Sequence, residues 1–83
     1  MIIQDLESKG WKIIKHEEGR IYAKRINPDT GKLAFFINES DKIDEVELMR
    51  VWTKLDYHPF TYKIENNKIT YFDCLFNEKV KYP

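Results

Sequence analysis

The chain has 83 residues and carries 14 Lys and Arg against 14 Asp and Glu, with 42% apolar residues. This length leaves room for one small hydrophobic core and excludes large catalytic folds such as the α/β barrel and the Rossmann sheet. The zero formal charge argues against a protein whose whole surface neutralises nucleic acid, because that role requires a net positive field. We therefore expect one small α+β domain over residues 1–83, with residues 77–83 as a loosely held tail.

Cysteine use and the first residues of the chain predict a soluble cytoplasmic protein. Cys74 is the only cysteine, so an internal disulfide is excluded and a reducing compartment is favoured. The opening residues lack the basic head and the long apolar run of a signal peptide. No stretch of the sequence approaches the roughly 20 consecutive apolar residues that a membrane-spanning helix needs. No membrane partner is therefore expected.

The first predicted element is a helix over residues 2–9. Ile2, Ile3 and Leu6 recur at a spacing that places them on one face of a helix. Gly10 follows at the position where a residue with left-handed backbone ends many helices.

Three predicted strands follow and form an antiparallel meander. Alternating apolar and polar residues predict strands over residues 11–16 and 20–26, and the loop between them contains a glycine suited to a tight turn. Residues 27–31 combine proline, aspartate and glycine in a second turn. The third strand is predicted over residues 32–38.

A second helix is predicted to begin after Asp44. Asp44 is suited to cap the helix N-terminus, and Glu47 three residues later completes the pattern of a capping box. His58 and Pro59 end the helix, because the residue before a proline disfavours helical backbone. Four apolar residues form one stripe along the helix: Leu48, Val51, Trp52 and Leu55.

The last predicted unit is a hairpin with strands over residues 61–64 and 68–76. The predicted order is thus α-β-β-β-α-β-β, an α+β two-layer fold in which the second helix packs on one face of an antiparallel sheet. The residues predicted to face this helix are Trp11, Ile13, Ile21, Ala23, Leu33, Phe35 and Ile37. The opposite face is predicted to carry Lys12, Tyr22, Lys24 and Asn38, together with the apolar Ile14, Ile26 and Phe36.

The side chains that could perform chemistry are few and scattered. His16, His58 and Cys74 lack the spacing that brings metal ligands onto one turn, so no metal site, cofactor or catalytic residue is predicted. Cys74 is expected to be a small buried side chain, His58 to cap a helix end and His16 to be solvated. Asp73 interrupts an apolar strand, and we interpret it as a charge that protects a sheet edge. The competing hypothesis, a small hydrolase or isomerase using Asp73 or His58, requires a pocket with a perturbed acid.

Large aromatic residues are frequent in the second half of the chain, and they favour a non-enzymatic protein-binding or regulatory module. Tyr57, Phe60 and Tyr62 are the predicted exposed cluster, and the competing interpretation is that they seal the helix end against the last hairpin. The partner is expected to be a host protein or a second copy of the chain in a homodimer. The many Lys, Ile and Asn residues are typical of a bacterial or phage source, so a phage or mobile-element accessory protein is one form of this hypothesis.

A single-stranded nucleic-acid binder is the alternative function. Basic residues are concentrated in residues 9–32, although the whole chain is neutral. The predicted nucleic-acid surface consists of Lys12, Tyr22, Lys24, Arg25 and Phe36, which combine phosphate contacts with rings for base stacking. The aromatic motif of RRM-type domains is missing, and this lowers the weight of the alternative.

Overall fold

The computed structural model describes residues 1–41 and 43–83 and contains, within them, two helices and six strands. In chain order these are α1 (Ile2–Ser8), β1 (Trp11–Glu17), β2 (Arg20–Ile26), β3 (Asp29–Asn38), α2 (Glu45–Thr53), β4 (His58–Glu65), β5 (Lys68–Asp73) and β6 (Glu78–Val80). The predicted α+β class and the predicted opening helix, meander and second helix are confirmed. Neither described helix is long and apolar enough to cross a lipid bilayer.

All six strands lie in one sheet, and their spatial order follows the chain from β1 to β6. Neighbouring strands are antiparallel except for β3 and β4, which are parallel. The prediction of a wholly antiparallel sheet is wrong at this pair, because α2 carries the chain back across the sheet before β4 begins. A crossover of this kind makes the two flanking strands run in the same direction.

The sixth strand was not predicted. It lies within residues 77–83, and Val80 pairs with Tyr71 of β5. Asn77 has a φ of 54°, a left-handed conformation that asparagine tolerates, and it turns the chain into β6. Val80 packs against the core, and Pro83 at the end of this segment is buried.

The prediction of which side chains face α2 is right for Phe35 and Ile37 of β3 but wrong for β1 and β2, because Trp11, Ile13, Ile21 and Ala23 lie on the α1 face. Phe36 pairs with Ile21, and Phe35 pairs with Tyr22. The prediction placed Phe35 on the face of Ile21 and left Phe36 on the open face. β3 begins at residue 29 and not at residue 32, so the turn between β2 and β3 has two residues instead of the predicted five. Since side chains alternate along a strand, a shift of one residue exchanges the two faces.

The larger core lies between α1 and the sheet face that carries Phe36. The Phe36 ring centroid lies 5.5 Å from that of Trp11, 5.1 Å from that of Phe60 and 5.9 Å from that of Tyr71. Rings from four different strands therefore meet in one place on this face of the sheet. The buried members of this core are Leu6, Trp11, Ile21, Ala23, Ala34, Phe36, Phe60, Tyr62 and Tyr71.

A smaller core lies on the other face, beneath α2, where Val51 packs against Phe35 and Ile37. The prediction that the whole apolar stripe of α2 covers the sheet is wrong in part: Val51 is buried, but Trp52 is 42% exposed and Leu55 is 45% exposed. α2 has nine residues and packs chiefly against β4. A single helix, about 10 Å across, covers only about two strands of a sheet.

The start of α2 is fixed by its predicted cap and by a distant ion pair. The Asp44 side chain accepts a hydrogen bond of 2.7 Å from the backbone N–H of Glu47, as the sequence predicts. The Glu47 carboxylate binds Arg20 of β2 through two hydrogen bonds of 2.7 Å each. This bidentate contact ties α2 to the β1–β2 hairpin across the second core.

Candidate functional site

An uncovered part of the sheet beside α2 forms a groove, which we call the β1–β2 groove. Its two hollows have volumes of about 460 and 230 Å³ and share Lys15, Tyr22 and Leu55, so they form one continuous depression. The groove runs between the β1–β2 hairpin on one side and α2 with the turn after it on the other. Its lining residues are Ile14, Lys15, Glu17, Glu18, Arg20, Tyr22, Glu47, Arg50, Val51, Leu55 and Tyr57.

The floor of the groove is aromatic and held in place from below. The ring of Tyr22 makes edge-on contacts with the rings of Phe35 and Tyr57, each at a centroid distance of 5.2 Å. Such contacts stabilise a pair of rings beyond the area that they bury. The Lys15 ammonium lies 5.7 Å from the Tyr22 ring centroid. The floor is therefore preorganised, and one face of the Tyr22 ring is already in use.

Two aliphatic side chains on the walls of the groove remain exposed. Ile14 is 52% exposed and Leu55 is 45% exposed. The register of β1 against β2 shifts between Ile13 and Lys15, and this bulge takes Ile14 out of regular pairing. These side chains lie close together around a rigid floor, an arrangement typical of an interaction surface.

Paired charges set the width of the groove. The hydrogen bond from Arg20 lowers the pKa of Glu47, and the same contact raises the pKa of Arg20. The pair stays charged at neutral pH and holds α2 at a fixed distance from the hairpin. Lys15 and Glu17 form a more exposed pair at 3.0 Å. Arg50 lines the groove and belongs to no ion pair within residues 1–41 and 43–83.

Two lysines extend the same face beyond the groove. Lys12 and Lys24 lie directly opposite each other in the β1–β2 register, and both are exposed. Among the described residues neither takes part in an ion pair. Like charges directly opposite in a sheet destabilise it slightly. This end of the face is therefore a small basic patch that a negative group would stabilise.

The predicted protein-binding cluster is not assembled as one surface. Tyr57 is half-buried and lines the β1–β2 groove, whereas Phe60 and Tyr62 are buried in the larger core on the other face. The expected exposure of Phe60 and Tyr62 is wrong, because the face that carries them is closed by α1. Phe60 and Tyr62 are therefore core side chains on the α1 face, away from the end of α2.

The predicted nucleic-acid surface is also divided between the two faces. Lys12, Tyr22 and Lys24 lie on the groove face, but Phe36 is fully buried in the larger core. The expected pairing of Phe36 with Tyr22 as a stacking platform is wrong, because Phe36 points to the opposite side of the sheet. The lysines remain exposed.

Arg25 is occupied by contacts within the fold. Its guanidinium lies 4.4 Å from the Trp11 ring centroid, and it donates hydrogen bonds to the backbone carbonyls of Lys9 and Pro83. Burial lowers the pKa of Arg25. Its role is to join the end of α1 to the C-terminal segment, so it does not extend the exposed basic patch.

His58 and Asp73 form a second polar feature, at the end of the sheet opposite the β1–β2 turn. Asp73 is 5% exposed, and its carboxylate lies 2.8 Å from His58 Nε2. Its other oxygen accepts hydrogen bonds from the backbone N–H groups of Leu75 and Phe76. The interpretations of Asp73 as an exposed edge charge and of His58 as a helix cap are therefore wrong. β6 covers the edge of β5, and the two side chains bind each other.

The carboxylate of Asp73 is held in its charged form. Burial on its own raises the pKa of Asp73, but the hydrogen bonds from His58, Phe76 and Leu75 outweigh burial and lower it. A lowered pKa means that this carboxylate stabilises the fold above its ordinary pKa of 3.8 and loses that effect as the pH falls through the folded value.

Asp73→Asn is therefore expected to make the free energy of unfolding depend less steeply on pH in the acid range. Between about pH 5 and pH 2 the wild-type chain should lose more free energy of unfolding than the variant, because only the wild type must protonate a stabilised carboxylate. Urea unfolding followed by circular dichroism at each pH measures this difference. Profiles that run parallel for the two proteins would contradict the role assigned to Asp73.

His16 and Cys74 are the remaining side chains that the sequence analysis singled out. His16 is exposed on β1, as predicted, and Cys74 is half-buried with a pKa raised by burial of the thiol. Within residues 1–41 and 43–83 no group of three or more His, Cys, Asp and Glu side chains is placed to hold a metal ion.

A comparison with models of protein families and a comparison with curated proteins each give no match. The structure shows a small α+β domain with one mixed six-stranded sheet and a helix on each face.

Proposed function

We propose that this protein is a small non-enzymatic protein-binding module that takes an amphipathic helix of a partner protein into the β1–β2 groove. The observation that carries the proposal is the pair of exposed aliphatic side chains, Ile14 and Leu55, that face each other across a fixed aromatic floor. The composition favours a cytoplasmic bacterial or phage source. A phage or mobile-element accessory protein that acts on a host protein is consistent with this composition and with the exposed groove.

The dimensions of the sheet support a helix as the occupant. Six strands spaced about 4.8 Å apart make a sheet about 24 Å wide, and α2 covers about 10 Å of it. The uncovered part over β1 and β2 is therefore about as wide as one further helix. A partner helix lying beside α2 would complete the second layer of the fold.

The exposed apolar side chains support a docking function because they are held by regular secondary structure or lie next to it. Ile14 lies in a strand, and Leu55 follows α2 directly. Covering both would remove apolar surface from water at about 25 cal/mol per Å². Interfaces typically concentrate their binding energy in a few such side chains that insert between rigid neighbours.

The basic patch indicates that the partner carries negative charge where it passes over Lys12 and Lys24. Lys12 and Lys24 repel each other at one end of the face, so an acidic group placed above them would relieve this repulsion as well as form ion pairs. We therefore expect the partner helix to carry Asp or Glu where it passes over these lysines. A partner with Lys or Arg at the same place should bind less tightly and associate more slowly.

The alternative, binding of single-stranded nucleic acid, is supported by Lys12 and Lys24 and by little else. Binding of this kind combines basic side chains with rings on which bases stack. Tyr22 is half-buried against Tyr57 and Phe35, with Lys15 above its ring, and Phe36 is buried. With no ring free for stacking among the predicted residues, an acidic helix fits the face better than an oligonucleotide does.

The proposal is tested with a displayed library of 20-residue amphipathic helical peptides whose polar faces range from basic to acidic. Acidic members should be enriched, and their binding should fall at least about tenfold with Ile14→Asp and with Leu55→Asp, because each change places a charge in the apolar contact. Ile64→Asp is the matched control: Ile64 is also exposed, at 41%, but lies in β4 on the other face. It should leave binding unchanged.

Three other results would contradict the helix proposal. Enriched peptides that bind equally to Ile14→Asp and to the wild type would place the interaction elsewhere. Light scattering that gives a dimer broken by Leu55→Asp would assign the groove to a second copy of the chain. Salt-dependent retention of a single-stranded oligonucleotide, lost in a Lys12→Ala, Lys24→Ala double variant with no peptide enriched, would assign the face to nucleic acid.

A further inference from the structure

The outer side of α2, which points away from the sheet, carries exposed apolar side chains. Successive residues of a helix are about 100° apart, so Val46 and Met49 lie on the side opposite the buried Val51. Val46 is 79% exposed and Met49 is 50% exposed. Thr53 continues this line one turn later, and we call Val46, Met49 and Thr53 the outer stripe. A helix that is apolar on two opposite sides is typical of one packed between two layers.

The spacing of the outer stripe is that of helices that pair with each other. Val46, Met49 and Thr53 are separated by three and then by four residues, as are the a and d positions of a coiled coil. Both a positions, Val46 and Thr53, are β-branched, and β-branched residues at a favour pairs of parallel helices. The outer stripe therefore fits a second helix with the same pattern.

Opposite charges border the outer stripe on its two sides. Glu45 lies about 70° from the line through Val46 and Met49 on one side, and Arg50 lies about 70° from it on the other. Both side chains are exposed, and the part of the chain that the structure describes offers neither an ion-pair partner. They occupy the g and e positions, where charged side chains of two paired helices meet. The outer side of α2 thus carries the complement of its own charge.

The positions of these charges select the direction of a second α2. A two-fold axis parallel to the helix turns the Glu45 side of one copy toward the Arg50 side of the other, so two Glu–Arg pairs form together. Trp52, which is 42% exposed, lies on the Glu45 side and offers Arg50 of the second copy an aromatic face. A two-fold axis perpendicular to the helix would instead bring the two Arg50 side chains together, which is unfavourable.

We propose that the outer stripe of α2 binds the outer stripe of a second copy of the chain, as a pair of parallel helices about a two-fold axis. Each α2 then lies between its own sheet and the other helix. The nine residues of α2 span only about 13 Å, and contacts that bury less than about 1,200 Å² are weak. We expect a dissociation constant on the order of 100 µM. Ile14 and Leu55 lie outside this contact, so it stands independently of the proposed function.

Sedimentation equilibrium of the full chain at low salt, from about 10 µM to about 1 mM, measures this dimer. The average mass should rise from that of one chain toward that of two. Met49→Asp should weaken the dimer at least about tenfold, because it places a charge in the apolar contact. Leu55→Asp is the matched control: Leu55 is 45% exposed but lines the β1–β2 groove, so this change should leave the dimer intact.

A charge exchange tests the direction of the two helices. Glu45→Arg and Arg50→Glu should each weaken the dimer by about three- to tenfold, because like charges then meet on both sides. An equimolar mixture of the two variants should regain the lost affinity, and this gain cannot come from a change in folding, since each chain is the same in the mixture as alone. A chain that stays monomeric at about 1 mM, a dimer that Met49→Asp leaves intact, or a mixture no tighter than its components would overturn the proposal.

Discussion

Gly10→Ala is expected to destabilise the fold by about 3 kcal/mol or more, since it combines left-handed strain with a clash against fixed backbone. Gly10 has a φ of 90°, and an added Cβ would lie 2.2 Å from the carbonyl oxygen of Asn27. That segment cannot move away freely, because the Gly10 carbonyl accepts hydrogen bonds from the backbone N–H groups of Ile26 and Asn27. The close approach of the two segments fixes how α1 leads into β1, and any side chain would separate them.

Gly31→Ala is the matched control for this prediction. Gly31 also has a positive φ, of 65°, but no atom lies within 4 Å of the position of an added Cβ. Only the left-handed conformation is penalised there, at about 1 kcal/mol. Urea unfolding of both variants separates the two effects. Equal midpoints for the two alanine variants would show that the contact with Asn27 does not restrict the chain.

The elements that could be predicted from the sequence are those whose signals are local. The Asp44 cap forms its hydrogen bond to Glu47, and Gly10 has the positive φ expected after the first helix. Hairpin loops and helix ends depend on residues within a few positions of each other, so their side chains and backbone preferences determine them directly. The first helix and the first two strands therefore have nearly the predicted bounds.

The errors concern the relation between elements. The parallel pairing of β3 with β4 depends on the path of α2 across the sheet, and the faces that β1 and β2 turn toward α2 depend on the length of the turn before β3. Neither is encoded by alternation alone, because a strand has the same pattern of apolar residues whichever face is buried. β6 is only three residues long and becomes stable by pairing with β5, so its own residues carry little signal.

The candidate sites show the same division. Alternation predicts that Ile14, Lys12 and Lys24 are exposed on one face, and they are exposed, but that face carries α2 and does not lie opposite it. The contact of Arg20 with Glu47 and that of His58 with Asp73 join residues 27 and 15 positions apart. Only the folded sheet brings such residues together. The sequence therefore predicted part of the groove face but neither the groove nor the contact of His58 with Asp73.

Phe36→Ala is expected to destabilise the fold by about 3 to 5 kcal/mol, the range typical of removing a buried phenylalanine side chain. The Phe36 side chain is fully buried, and its ring contacts those of Trp11, Phe60 and Tyr71. These neighbours belong to strands of one rigid sheet, so they cannot collapse into the space left by the ring. Ile14→Ala, at an exposed strand position, should change the free energy of unfolding by no more than about 0.5 kcal/mol.

A double-mutant cycle distinguishes burial on the α1 face from burial beneath α2. Phe36→Leu combined with Phe60→Leu should be non-additive by about 1 kcal/mol, because the two rings are stacked at 5.1 Å. Phe36→Leu combined with Val51→Ala should be additive within about 0.3 kcal/mol, because Val51 belongs to the core on the other face. Coupling of Phe36 to Val51 alone would show that the Phe36 side chain lies beneath α2 and not on the α1 face.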